Sequence, residues 1–146
     1  MHLSNILCPL DFSVAAAAVV AYAATLASAT GAELCLLHVQ EAQLALSGHE
    51  PGPVPDAATE LARYQLLAQQ AGAGRVTTQL RQGDAAREIV RVAQTSGNDL
   101  IIIGSHGQTG LTRFLMGNTA EHVVRHAPCA TLLVKPQGTA ALRQSA

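Results

Sequence analysis

A chain of 146 residues fits one domain, long enough to bury roughly two thirds of its unfolded surface without disulfide or metal staples. With 49% hydrophobic and 13% charged residues and a net charge of −1, it lacks the basic excess that neutralises a phosphodiester backbone. Its 3% aromatic residues make no base-stacking platform, so long nucleic acid is not an expected partner.

In chain order, Leu3 to Leu10 is a short apolar run, the first strand. "DFS" at 11–13 supplies turn and capping residues, with Ser13 as the expected N-cap of an alanine-rich helix that "TG" at 30–31 ends. Phe12 to Ala32 carries no charge and contains "ASA" at 27–29, in outward form a leader peptide. No Lys or Arg precedes Arg63, however, and Asp11 stands directly ahead, so the run reads as a helix and not as a leader or a membrane span. "ELCLLHV" at 33–39 is the second strand, and its unbroken apolar centre suits a sheet covered on both faces. Residues 41–55, with three prolines and two glycines, read as an irregular excursion placed to act as a lid or to hang free.

Asp56 or Thr59 signals the start of a second helix with a leucine stripe at Leu61, Leu66 and Leu67. "RVTTQLRQG" alternates Val76, Thr78 and Leu80 as a strand with one less protected face. Asp84 caps and Gly97 closes a third helix carrying Ile89, Val90 and Ala93. "DLIIIG" is the fourth and most buried strand, "GNTAEHVVRHA" a helix that stops before Pro128, and "ATLLVK" the fifth strand. Strand and helix alternate, which predicts an α/β fold: an open five-stranded parallel sheet with helices on both faces. A single domain over 1–136 with a loose tail at 137–146 completes the expectation. Cys8, Cys35 and Cys129 lie in or beside apolar runs with no CxxC, so they read as core thiols of a reducing cytoplasm.

In such sheets ligands bind beyond the carboxyl ends of the strands, where the strand order reverses. If the first and fourth strands are neighbours, a crevice opens between Asp11 and Gly104. The stretch "IIIGSHGQTGLTRFLMGNTAEHVV" from Ile101 puts four glycines between that strand end and a helix. Asn118 or Thr119 is the expected cap, with Glu121 completing a capping box, and the free N–H groups of the helix start favour an anion. Neither GxxxxGK[ST] nor GxGxxG is present and Lys135 is the only lysine. On spacing alone, a phosphate-binding loop stands beside glycines that merely allow close helix–strand packing.

"NILCPLDFS", "LLHV" and above all Gly104-x2-Gly107-x9-Gly117 followed by "NTAEHVVRHAPCATLLVK" resemble the universal stress protein family, from about Asn5 to Lys135. The resemblance implies a cytoplasmic stress-response module that binds ATP or a related adenine nucleotide, with Mg2+, and acts by binding more than by catalysis. It places Pro9, Leu10 and Asp11 by the adenosine and Val39 at the adenine. Ile103, Gly104 and Gly107 fall beneath the ribose and phosphates, and Gly117, Asn118 and Thr119 at the phosphates. Asn118 departs from the family's pattern, which has a hydroxyl residue there. A homodimer through Ala130–Lys135 is implied as well.

Plainer readings stand beside these. Asp11 serves equally as a turn residue, His106 and Arg113 as loop residues or phosphate contacts, and His38 as a hydrogen-bonded structural histidine. His122 and His126, four apart on a helix, have metal-ligand spacing but no third ligand. Two other functions remain open: a ligand-free dimeric interaction protein, and a slow ATP hydrolase using His106 or Arg113.

Overall fold

The computed structural model describes residues 3–41, 56–105 and 117–135. Strands and helices alternate: β1 (Asn5–Pro9), α1 (Ala16–Thr30), β2 (Glu33–Gln40), α2 (Ala57–Gln70), β3 (Val76–Gln82), α3 (Ala85–Ser96), β4 (Leu100–Gly104), α4 (Asn118–His126) and β5 (Ala130–Val134). All five strands are parallel, in the order β3-β2-β1-β4-β5. The order therefore reverses between β1 and β4.

Parallel strands need helical crossovers, and the helices cover both faces of the sheet, which is why the central strands are apolar without alternation. One face packs Ile6, Cys8, Leu34, Leu36 and Ile102 against the small residues of α1 and against Leu61 and Tyr64 of α2. The other packs Leu7, Leu37, Ile101 and Ile103 against Ile89 and Val92 of α3 and Val123 of α4. The alanines of α1 let the helix axis approach the sheet, and Ala23 and Ala24 are fully buried. Gly31, at φ 77, returns its N–H to the Ala27 carbonyl and stops the helix as expected. Asp84 accepts the Arg87 N–H at 3.0 Å and Gly97 closes α3 at φ 65, also as expected. Among the described residues, no helix is long and apolar enough to cross a membrane.

Four expectations are corrected. Ser13 does not cap α1: its amide donates to Asp11 Oδ1 at 3.0 Å and its carbonyl accepts from Ala16, so the chain turns once more before the helix starts. In α2 the buried face is Ala57, Leu61, Tyr64 and Ala68, while Leu66 and Leu67 are 55% and 36% exposed. The helical period from Leu61 falls on Tyr64 and Ala68 and skips both of these leucines. In β3 only Val76 is buried, because the strand is the sheet's edge and Thr78 and Leu80 lie beyond full helix cover. Among the cysteines, Cys8 is a core thiol while Cys35 and Cys129 are half-buried.

Asp99 adds a tie that residue types alone do not announce. Its Oδ2 accepts the Ser4 and Asn5 amides at 2.7 and 2.9 Å, pinning the start of β1 to the start of β4. The two strands are thus locked at their amino ends.

Candidate functional site

The pairing between β1 and β4 covers Ile6↔Leu100 and Leu7↔Ile101 and goes no further. On its other side β1 stays paired with β2 through Pro9↔Leu37, and β4 stays paired with β5 through Gly104↔Val134. The two central strands therefore part towards their carboxyl ends, and a crevice opens where the order reverses.

On the β1 side, Pro9 and Leu10 are buried, and the Leu10 amide donates to the Leu37 carbonyl at 2.7 Å. Asp11 follows, half-buried, its carboxylate accepting the Ser13 amide and closing a short side-chain turn. Phe12 between them has φ 59, a left-handed conformation uncommon for a bulky side chain. Its ring stacks on His38 at 4.0 Å between centroids and lies parallel to Tyr64 at 6.0 Å. His38 Nδ1 donates to the Leu10 carbonyl at 2.7 Å; since a carbonyl only accepts, the proton is on Nδ1. His38 is thus a hydrogen-bonded structural histidine, and it fastens the end of β2 to the end of β1. Val39, next along β2, is buried against the α3 face.

On the β4 side, Ile103 is buried, Gly104 ends the strand, and the Ser105 amide donates to the Val134 carbonyl at 3.0 Å. Ser105 is itself 6% exposed, and its carbonyl accepts the Gly117 amide at 2.7 Å. The chain thus leaves β4 and re-enters the described fold at one point. His106, Gly107 and Arg113 lie outside the described residues.

Gly117 is the N-cap of α4, at φ −65 and ψ 158, and the first bond of the helix runs from the Glu121 amide to its carbonyl at 2.9 Å. This corrects the expected cap: Asn118 and Thr119 occupy the first turn. The capping box does not form, because Glu121 pairs instead with Arg125 at 3.1 Å. Neither Gly104 nor Gly117 has positive φ, so what glycine contributes at Gly117 is the missing Cβ and not a left-handed backbone. The amides of Asn118, Thr119 and Ala120 precede the first intrahelical bond and carry the positive end of the α4 dipole.

The structure therefore brings Pro9, Leu10 and Asp11 to one wall of the parted strands and Ile103, Gly104 and Gly117 to Thr119 to the other. Sequence reasoning missed Phe12 and Tyr64, whose aromatic stack with His38 shapes the β1 wall, and Ser105, which joins β4 to α4. In a chain with two phenylalanines and two tyrosines, an aromatic directly after the strand-end aspartate was the available signal.

An open parallel sheet covered by helices on both faces, its strand order reversing beside the start of α4, is a doubly wound α/β fold. The model of the universal stress protein family matches residues 2–135. The universal stress protein MJ0531 of Methanocaldococcus jannaschii is 39% identical over 75 residues, covering 51% of this chain and 44% of that protein. The universal stress protein E homolog of Haemophilus influenzae is 38% identical over 76 residues, and the match spans 25% of its length. The chain thus spans less than half the length of these curated relatives. Among solved structures, universal stress protein UspA of Lactobacillus plantarum superposes with a TM-score of 0.79 at 26% identity, covering 92% of this chain and 99% of that one. A universal stress protein of Archaeoglobus fulgidus in complex with dAMP superposes with a TM-score of 0.69 at 22% identity, covering 92% and 100%. One in complex with cAMP gives 0.76 at 19% identity, covering 94% and 100%. The chain belongs to the universal stress protein family.

Proposed function

We propose that this protein is a stress-response regulator that binds an adenine nucleotide, ATP foremost, in the crevice between β1 and β4, and acts by binding more than by catalysis. The observation that carries this reading is the parting of β1 from β4 directly beside the helix start that the Ser105–Gly117 bond holds in place. A cleft with an apolar floor accepts a base and ribose, and a helix start accepts phosphates. The family's complexes with dAMP and cAMP support the ligand class.

In this assignment Asp11, with Pro9 and Leu10, faces the adenosine, and Val39 contributes main-chain contacts to the adenine. Ile103, Gly104 and Gly107 underlie the ribose and phosphates, while Gly117, Asn118 and Thr119 receive the phosphates. Asn118 donates an amide where the family's pattern has a hydroxyl. Among the described crevice residues Asp11 is the single carboxylate and belongs to the adenosine end, so Mg2+ would enter on phosphate oxygens. Nucleotide contacts to two strand ends and a helix start favour one arrangement of the loops, which a partner distinguishes. The protein acts in the cytoplasm as a homodimer through Ala130–Lys135. Within the described fold β5 pairs only with β4, and its sequence, ATLLV, is an apolar sheet edge suited to a second copy.

Calorimetric titration of ATP and AMP with magnesium into nucleotide-free protein tests the reading. Micromolar binding is expected, abolished by Gly117→Val and weakened roughly tenfold or more by Asp11→Ala. The extended backbone at Gly117 tolerates valine, so folded Gly117→Val isolates the effect of a Cβ facing phosphate. A folded dimer that takes up neither nucleotide would leave the ligand-free interaction protein in its place.

A further inference from the structure

A second cleft lies away from the nucleotide crevice, between α3 and α4. It is an open groove of about 400 Å³ lined by Arg87, Val90, Arg91 and Gln94 of α3 and by His122 and His126 of α4. Apart from Val90, every lining side chain is a nitrogen donor or becomes one on protonation, and no carboxylate lines it. Arg87 has no carboxylate partner among the described residues. Arg91 is held at 3.0 Å by Glu88, and Arg125, outside the lining, by Glu121. We propose that this cleft is a binding site for a small tetrahedral dianion of the phosphate and sulfate class, independent of the nucleotide site and tightened by acidification.

The geometry of the two histidines supplies the pH dependence. Their rings stack at 4.2 Å between centroids, and His126 Nδ1 donates to the His122 carbonyl at 2.9 Å. That bond fixes the neutral tautomer of His126 with a lone pair on Nε2, which repels an oxyanion. Protonation converts Nε2 to a donor. Two imidazolium rings stacked this closely repel each other, and a dianion between them and the arginines offsets that repulsion. Binding therefore takes up protons and strengthens as the pH falls.

The charged groups on the two helices are Glu121 and Arg125 on α4 and Arg87, Glu88 and Arg91 on α3, and of these Arg87 and Arg91 line the cleft. The strands on that side, β4 with LIIIG and β5 with ATLLV, add no titratable side chain. Glu121 is engaged with Arg125 and Glu88 with Arg91, which leaves the charge of Arg87 in the lining without a carboxylate partner among the described residues.

Sulfate is the probe, because it stays a dianion throughout the imidazole range and any pH effect then belongs to the protein. The His122 and His126 ring signals are followed by NMR during titration with sodium sulfate, against sodium chloride at equal ionic strength, near pH 6 and near pH 8. Saturable shifts of both rings are expected, with affinity roughly tenfold higher near pH 6. Arg87→Gln with Arg91→Gln weakens binding at least about tenfold at both pH values, and His122→Gln with His126→Gln removes the pH dependence while leaving residual binding. Circular dichroism confirms that each variant is folded. Gly117→Val, the variant proposed above to block the nucleotide crevice, should leave sulfate binding unchanged. Ring shifts no larger than with chloride, equal affinity at the two pH values, or shifts confined to the amides of Gly117 to Thr119 would overturn the proposal.

Discussion

Phe12 occupies a backbone conformation that costs a non-glycine residue about 1–2 kcal/mol, and its ring contacts with His38 and Tyr64 offset that cost. The two contributions separate by substitution. Phe12→Ala and Phe12→Gly both remove the ring, but only glycine accepts φ 59 without strain, so the alanine variant should be less stable than the glycine variant by about 1 kcal/mol in urea unfolding. Equal stability would mean that the positive φ is lost with the ring. A second residue-scale prediction concerns Thr131 on β5, whose buried hydroxyl has no hydrogen-bond partner among the described residues. Thr131→Val should be neutral or stabilising by up to about 1 kcal/mol in the same measurement. At this scale the sequence was legible where a residue type has one common use: Asp11 closing a turn, His38 bonding at a strand end, Gly31 and Gly97 ending helices. It was opaque at Phe12, because the sign of a dihedral is written in residue type only for glycine and, weakly, for Asn and Asp.

The bounds of helix α3 were legible because independent cues agree, a capping aspartate and a terminal glycine marking the same segment, whereas its buried face holds Ile89, Val92 and Ala93 and leaves the expected Val90 only partly buried. Asp84→Ala should lower stability by about 1 kcal/mol, since it orphans the Arg87 amide. Ser13→Ala should change it by less than about 0.5 kcal/mol, because α1 begins beyond the reach of that hydroxyl. Thermal unfolding of the two variants side by side decides whether α1 or α3 carries a side-chain cap. In α2 the leucines misled because leucine reports hydrophobicity, while the partner surface decides which position fits. Against the alanine face of α1, Ala68 and Tyr64 pack and Leu66 stays in water. The start of α4 was legible as an amide-rich helix end but misplaced by one residue, since glycine caps almost as readily as asparagine and leaves no side-chain signature.

Over the whole molecule, the alternation of elements told the fold class, whereas the β1–β4 adjacency that creates the crevice rested on a general rule of parallel sheets until the register was in hand. The buried core also sets a response to alkali. Burial pushes the Cys8 thiol far above its ordinary range, and the nearby Cys35 raises it further, while an unfolded cysteine ionises near pH 8.5. The native state then keeps a proton that the unfolded chain releases, so this contribution is full below about pH 8.5 and is lost above it at about 1.4 kcal/mol per pH unit. Cys35 and Cys129, also raised mainly by burial, act in the same direction. Urea midpoints of wild type should therefore decline between about pH 8.5 and 9.5, and those of Cys8→Ala should decline less steeply. The bond from the Gly117 amide to the Ser105 carbonyl carries a consequence of another kind. It joins the end of β4 to the start of α4 through main-chain atoms alone, so no side-chain substitution at Ser105 removes either bonding group, and the strand end and the helix start keep their spacing whatever side chains flank them.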